Sequence, residues 1–281
     1  MSAAAASSGS RWNLTNHNIV VTGASKGIGL ATSQVAASLG ANVILVARSS
    51  DDLAAAIASL PPDSQSRCTP CACDLSTDDG RAVLVSQAQA TFGGILHGVV
   101  NNAGTNVRKT ILEQTDDEYS AIVSLNQHAI YRLCQLLQPM LARGSAARGN
   151  PELFGASVVN VGSAAGVGST GSGAAYGMTK AAIAHLSKIL ACEWAQHRIR
   201  VNCVAPWVTL TPLLEAALEK NPNSLEKAEA RTPMRRAAKP EEIADAVVFL
   251  LMDASSYVTG QVLSVDGGLS ANHVAGPTVE P

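Results

Sequence analysis

Asn18-Ile-Val-Val-Thr22-Gly23-Ala-Ser25-Lys26-Gly27-Ile28-Gly29 is the stretch that decides the fold. Its β-branched opening reads as a buried strand, and its glycines then break that pattern. The residues up to about Leu39 carry a helical pattern. Strand, glycine turn and helix, in that order, suit a dinucleotide pyrophosphate. Glycines let the backbone approach the phosphates, and the helix N-terminus favours the anion. The spacing is G-x-x-x-G-x-G, not G-x-G-x-x-G, and a plain structural turn is the alternative reading.

Working outward, the same alternation continues. Strands are predicted at Asn42–Val46, Cys68–Cys73, Gly98–Val100, Ala156–Val161, Arg200–Val204 and Val262–Val265. Helices are predicted near Asp51–Ser59, Thr77–Phe92, Asp116–Leu141 and around Tyr176. Regular β-α-β alternation implies an α/β fold: one Rossmann-type, doubly wound parallel sheet with helices on both faces. A single domain is expected over residues 11–270, between a disordered tail at 1–10 and a loose tail at 271–281. Arg143–Gly155 reads as a surface loop. Pro206–Pro240, with prolines at 206, 212, 222, 233 and 240, reads as a long irregular lid.

The 281 residues carry a formal charge of −2, and 47% are hydrophobic. That balance fits a folded globular chain. With no block of Lys and Arg, it argues against nucleic acid or an anionic membrane as the main partner. The longest apolar run, Ile243–Met252, is interrupted by Asp245 and falls short of a membrane span. The first ten residues lack the basic start and apolar centre of a secretory signal and only faintly resemble a transit peptide. A cytoplasmic location is expected, with organelle targeting left open. Cys68, Cys71 and Cys73 lie on one predicted strand, and no Cys/His cluster follows at zinc-site spacing, so free thiols and no metal are expected.

Residues able to do chemistry fall at carboxyl ends of strands, where open α/β sheets bind ligands. The second strand ends Val46-Ala47-Arg48-Ser49, where an NAD-binding chain places an acid for the ribose hydroxyls. Arg48, with Lys26 in the glycine loop, instead suits a 2′-phosphate and favours NADP(H). Asp51 nearby keeps NAD open. Asp74-Leu75 and Asn102-Ala103-Gly104 are candidates for adenine and for the length of the cofactor, though each alone is an ordinary cap or turn. Tyr176 and Lys180 stand four apart on a predicted helix and share a face. A free phenol titrates near 10, and bringing it to about 7 requires roughly 4 kcal/mol. One cation at ~4 Å supplies about that at an effective dielectric of ~20. The pair suits an acid/base tyrosine, with Ser163 thirteen residues upstream.

Thr22-Gly-Ala-Ser-Lys-Gly-Ile-Gly29, Asn101-Asn-Ala-Gly104, Ser163, Tyr176-x-x-x-Lys180 and Arg200-Val-Asn202 occur in the order and spacing of the short-chain dehydrogenase/reductases. From about Arg11 to Gly268 the chain resembles that family. A narrower resemblance is to the plant tropinone-reductase-like group. It rests on Arg11-Trp-Asn-Leu14, Leu190-Ala-Cys-Glu-Trp194, Arg200-Val-Asn-Cys-Val-Ala-Pro206, and Thr211-Pro-Leu-Leu214 through Lys220-Asn-Pro222. The resemblance implies a catalytic tetrad. Ser163 matches the residue that binds the carbonyl oxygen, and Tyr176 matches the acid/base. Lys180 matches its partner, which also holds the nicotinamide ribose. Asn126 matches the residue that positions a relay water. Cofactor contacts are implied for Gly23, Ser25, Lys26, Gly27, Ile28, Gly29, Arg48, Asp74, Leu75, Asn102, Ala103, Gly104, Tyr176, Lys180, Pro206, Thr209 and Thr211. Position 207 is Trp, where the wider family usually has Gly; tropinone-reductase-like members resemble this chain there.

The expected activity is reversible, NADPH-dependent reduction of a ketone to a secondary alcohol. The substrate is expected between the loop after Ser163 and the Pro206–Pro240 segment, against Ser163, Ala165, Val167, Tyr176, Trp207, Val208, Leu210, Leu213 and Leu214. These are mostly apolar, so a small or medium lipophilic ketone is expected. A 3-oxoacyl-carrier-protein reductase has the same tetrad but should show a basic patch at the site mouth, and none is evident. A non-catalytic NADP-binding protein is opposed by the intact tetrad. The resemblance also implies a homodimer or homotetramer, formed through the Asp116–Leu141 and Tyr176 helices.

Overall fold

A computed structural model describes residues 10–148, 155–220 and 222–272. The expected tails lie outside these residues except at their inner ends, where Ser10–Trp12 and Leu269–Ala271 form 3-10 turns. Seven strands make one parallel sheet: β1 (Asn18–Thr22), β2 (Asn42–Ala47), β3 (Cys68–Ala72), β4 (Gly98–Asn101), β5 (Ala156–Val161), β6 (Ile199–Pro206) and β7 (Val262–Val265). Their order is β3-β2-β1-β4-β5-β6-β7. After β3 the chain crosses to the other side of β1, so the crevice at the carboxyl ends of β1 and β4 is the switch point where such sheets bind ligands.

The helices are α1 (Gly27–Ser38), α2 (Ser50–Ala58), α3 (Pro62–Gln65), α4 (Asp78–Phe92), α5 (Asp116–Val123), α6 (Ala129–Ala147), α7 (Ala174–Glu193), α8 (Pro212–Lys220), α9 (Ser224–Arg231) and α10 (Pro240–Leu251). The strand alternation sorts the core into two layers. Val20, Ile44 and Val46 pack with Leu84, Leu133, Leu137, Ile183 and Leu190 of α4, α6 and α7. Ile19, Val21, Val43 and Leu45 pack with Ala36, Leu53, Ile243 and Val247 of α1, α2 and α10. Both faces are covered, so the central strands are apolar at nearly every position. Helix starts follow local chemistry. Thr77 caps α4 by accepting from the Gly80 N–H at 3.0 Å, and Thr115 and Glu118 form a reciprocal capping box on α5. Asn202 is structural: its amide donates to the Val258 carbonyl and its Oδ1 accepts from the Gln261 N–H, tying β6 to the approach to β7.

Three expectations change. The Asp116–Leu141 helix is broken by a π-helical turn at Ser124–His128. It also runs on to Ala147, into the predicted Arg143–Gly155 loop. The Gly/Ala/Arg composition there looks loop-like, but Gly144 is what lets α6 pass the Leu96 carbonyl, which any Cβ would strike. The rest of the predicted loop, 149–154, lies outside the described residues. Pro206–Pro240 is likewise not irregular: it contains α8 and α9. Its prolines act as punctuation, with Pro212 and Pro240 at the first positions of α8 and α10.

At the amino end of the sheet, away from the switch point, two histidines lie together, His17 buried and His97 half-buried. Their rings lie 5.3 Å apart. His17 is 7% exposed. Its Nδ1 faces the Thr15 carbonyl, while its Nε2 accepts from Arg148, whose guanidinium also pairs with Asp253 at 2.6 Å. His97 Nδ1 accepts from the Asn18 N–H at 3.0 Å. Burial, then the neighbouring His17 and Arg148, pushes His97 down to about 4. His17 is lowered by burial and by Arg148. Below about pH 6.5 the unfolded chain takes up protons that the native chain refuses, so stability falls as pH falls from there toward 4. We expect His97 to contribute about 2–3 kcal/mol of loss across that window. His97→Asn, which keeps an acceptor for Asn18, should flatten the fall. Urea midpoints at pH 7.5 and 4.5 measure it; equal losses in both proteins would refute the assignment.

Candidate active site

The site is built at the carboxyl ends of β1, β4, β5 and β6. The glycine loop leaves β1 and turns at Gly23, whose φ of +63° favours glycine. A Cβ on Gly23 would meet the Ala103 Cα at 2.9 Å, and one on Gly29 would strike the Gly23 carbonyl at 2.2 Å. The loop is held from the β4 side. Thr22 Oγ1 accepts from the N–H groups of Asn102 and Ala103 at 2.9 and 3.0 Å. The Asn102 amide donates to the Thr22 and Gly23 carbonyls. Thr22 escaped the sequence reading as a site residue; its only signal is a hydroxyl at the last strand position before the glycines. Lys26 precedes α1 with no side chain capping that helix, and the first turn holds no acid. Thr211 packs its methyl beside Gly27, bringing the segment after β6 to the loop. These features fit a dinucleotide: a close-packed glycine cradle and a twelve-residue helix whose first N–H groups meet no carboxylate.

Arg48 is exposed just past β2. Ser76, through its hydroxyl and its backbone N–H, holds the Asp74 carboxyl below its ordinary range, and Arg48 adds in the same direction. Arg48 and Asp74 therefore face the same corner. The Leu75 side chain is buried in the core, which leaves its backbone for any ligand contact. Ser25 and Ile28 are half-buried in the loop, and Ile28 packs on the core beneath it.

Ser163 follows β5 and starts a 3-10 turn, Ala164–Gly166, with Oγ accepting from the Ala165 N–H at 3.1 Å. That turn lies against the first turns of α7. A Cβ on Gly166 would meet the Lys180 carbonyl carbon at 2.6 Å, and one on Gly177 would meet the Ala165 carbonyl at 3.2 Å. Two glycines thus bring Ser163 beside the helix that carries Tyr176. Lys180 is 4% exposed. Its Nζ donates to the Val161 carbonyl at 2.7 Å and sits 5.7 Å from the centre of the Tyr176 ring. The Val161 carbonyl is a backbone group and has no signature in the sequence.

Asn126 lies in the π-helical turn and is fully buried. Its Oδ1 accepts from the Thr105 N–H at 2.8 Å, and its amide donates to the Thr105 carbonyl at 2.8 Å and to Thr179 Oγ1 at 3.4 Å. The amide hydrogens are both used, so a relay water could meet this side chain only at Oδ1. What the side chain visibly does is clamp Gly104–Thr105 beside Lys180: a Cβ on Gly104 would lie 3.3 Å from Asn126 Oδ1 and 3.7 Å from Lys180 Nζ.

Of the substrate-lining candidates, Ala165 is half-buried in the turn after Ser163, and Val167 is 52% exposed just beyond it. Leu213 and Leu214 lie in the first turn of α8. Val208 gives its carbonyl to the Ala238 N–H. Leu210 lines a cleft with Glu229, Arg236, Ala237, Lys239 and Glu242. Trp207 donates its indole N–H to Thr232. Pro206 closes β6, and Thr209 is buried after it.

A doubly wound parallel sheet with a glycine cradle at its switch point and Ser163, Tyr176 and Lys180 at the end of β5 defines a nicotinamide-dependent oxidoreductase. Residues 23–270 match the family described as enoyl-(acyl carrier protein) reductase, and the chain belongs to this branch of the short-chain dehydrogenase/reductases. It is 39% identical to a tropinone reductase homologue of Arabidopsis thaliana over 262 residues, which cover 93% of this chain and 95% of the relative. A second homologue from that plant, named as chloroplastic, is 39% identical over 96% of this chain and 81% of the relative. L-Sorbose reductase from Gluconobacter frateurii, solved with NADPH and L-sorbose, has a TM-score of 0.83 at 32% identity, covering 93% of this chain and 99% of that one. No helix among the described residues is long and apolar enough to cross a membrane.

Proposed function

We propose that this chain reduces a small or medium lipophilic ketone to a secondary alcohol, reversibly, with NADPH. The observation that carries this reading is the packing of the Ser163 turn onto α7, with Lys180 buried under the Tyr176 ring. The Ser163 oxygen already accepts from Ala165, so its hydroxyl hydrogen is available to a carbonyl oxygen. Tyr176 gives its proton to the same oxygen as the alcohol forms. Lys180 stabilises the negative charge left on the phenolic oxygen, and its position is fixed by the Val161 carbonyl. Asn126 keeps Gly104 and Thr105 against that ammonium group. When bound, the reduced nicotinamide supplies the hydride. The Gly23–Gly29 loop, Asn102–Gly104, Pro206, Thr209 and Thr211 would hold the cofactor, with Arg48 and Lys26 at the 2′-phosphate and Asp74 near adenine.

The test is a panel of lipophilic ketones assayed with NADPH and NADH in parallel. No turnover with any ketone and NADPH would overturn the reading. Arg48→Asp addresses the cofactor choice. Charge-assisted bonds contribute about 1.5–3 kcal/mol, so this change should raise the KM for NADPH about 10- to 100-fold and bring NADH forward. An unchanged NADPH/NADH ratio would remove Arg48 from the phosphate site. A homo-oligomer belongs to the same reading. Tyr119, Tyr131, Leu136 and Ile189 are all at least 36% exposed on the α5–α7 side, where a second copy would cover them.

A further inference from the structure

The covering segment between β6 and α10 is held to the body at few points. Among its described residues, α8 has no buried side chain, and Ala228 is the one buried residue of α9. Just after α9 stands Thr232, 2% exposed. Its Oγ1 accepts from the Trp207 indole N–H at 3.1 Å and donates to the Ala228 carbonyl at 2.8 Å. Its methyl fits under Gly267, where an added Cβ would lie at 2.7 Å. Trp207 is itself anchored where the sheet ends, its N–H pointing to the Val265 carbonyl at 3.4 Å. Met234 donates to the Gly267 carbonyl, and Val208–Leu210 exchange hydrogen bonds with Ala238. The base of the segment is therefore pinned. Glu229 of α9 accepts from the Ala237 N–H and Arg235 donates to the Ala230 carbonyl, both within the segment, while the Trp207–Thr232 bond ties the end of α9 directly to the end of β6.

We propose that the Trp207–Thr232 hydrogen bond is a positioning device for substrate specificity, holding α9 to the ends of β6 and β7 and so setting how α8 covers the cleft beside Thr211. This extends the proposed ketone reduction and rests on it for its kinetic test. Neither side chain need touch the reacting atoms. The bond orders a poorly buried helix pair before the substrate arrives, so losing it makes the substrate itself supply that ordering.

The test uses the full-length protein with Thr232→Val, Thr232→Ser and Trp207→Phe. Val keeps the shape and removes the acceptor; Ser keeps the acceptor. Trypsin can cut after Lys227 and Arg231, within α9. We expect Thr232→Val and Trp207→Phe to raise the nicking rate in α9 about fivefold, as loss of one buried bond implies, with cleavage elsewhere in the chain unchanged. Thr232→Ser should stay near wild type. In the ketone assay, Thr232→Val should raise the KM about fivefold to tenfold with kcat within about twofold. Wild-type nicking in Thr232→Val, or equal effects of Val and Ser, would overturn the proposal. If the wild type reduces no ketone, the functional reading fails while the nicking pattern still decides whether the bond holds α9.

Discussion

Tyr176→Phe is expected to lower kcat for ketone reduction by about 10²- to 10⁴-fold, the usual contribution of a placed general acid, while NADPH binds as in the wild type. The structure says why the change is clean. The ring packs over the Lys180 ammonium group and the helix backbone sits against the Ser163 turn, and Phe preserves both. Thr179 bonds to the Tyr176 backbone carbonyl, which the substitution leaves alone. Only the hydroxyl is lost. Single-wavelength assays of NADPH oxidation, with cofactor affinity from a fluorescence titration, separate the two effects. Near-normal turnover by the Phe variant would remove Tyr176 as proton donor, and a parallel loss of NADPH binding would make its role structural.

Gly29→Ala should do its damage earlier, at the cofactor. The new Cβ would lie 2.2 Å from the Gly23 carbonyl oxygen and 2.6 Å from the Asn102 amide nitrogen. The first is backbone and cannot turn aside, so the glycine loop must shift as a unit. That shift also disturbs the bond from Asn102 to the Gly23 carbonyl, which joins the loop to β4. Overpacking of this kind costs about 1–3 kcal/mol, and it falls on the surface that the pyrophosphate would need to approach. We expect a lower melting temperature without ligand and NADPH affinity weakened more than about tenfold. Thermal melts with and without NADPH read both. A ligand-induced shift as large as the wild type's would show that the loop tolerates a methyl group and does not closely approach the phosphates.

These two residues were plain in the sequence for different reasons. Gly29 stood out because a strand, a glycine turn and a helix follow one another within twelve residues. Tyr176 and Lys180 stood out because helix geometry puts residues four apart on one face. Other participants left little trace. Thr22 bonds to two residues about eighty positions away, and Thr232 to one twenty-five positions away. Local pattern carries no information about such partners. The extension of α6 to Ala147 was hidden for the same reason: Gly144 weakens a helix read by propensity, yet here it permits close passage by Leu96. The prolines of the 206–240 segment were seen, but whether they break or begin helices depends on what lies on either side.

By itself, the sequence determined the parallel sheet, the glycine loop and the helix that carries Tyr176 and Lys180, because each is written in spacings of a few residues that backbone geometry turns directly into shape. Tertiary structure alone decided that Asn126 spends its amide hydrogens on Thr105 and Thr179, that Lys180 is fixed by the Val161 carbonyl, and that Trp207 reaches Thr232. Those are hydrogen bonds between segments far apart in the chain. Which donor meets which acceptor is settled only when the strands are in register and the helices have packed against them.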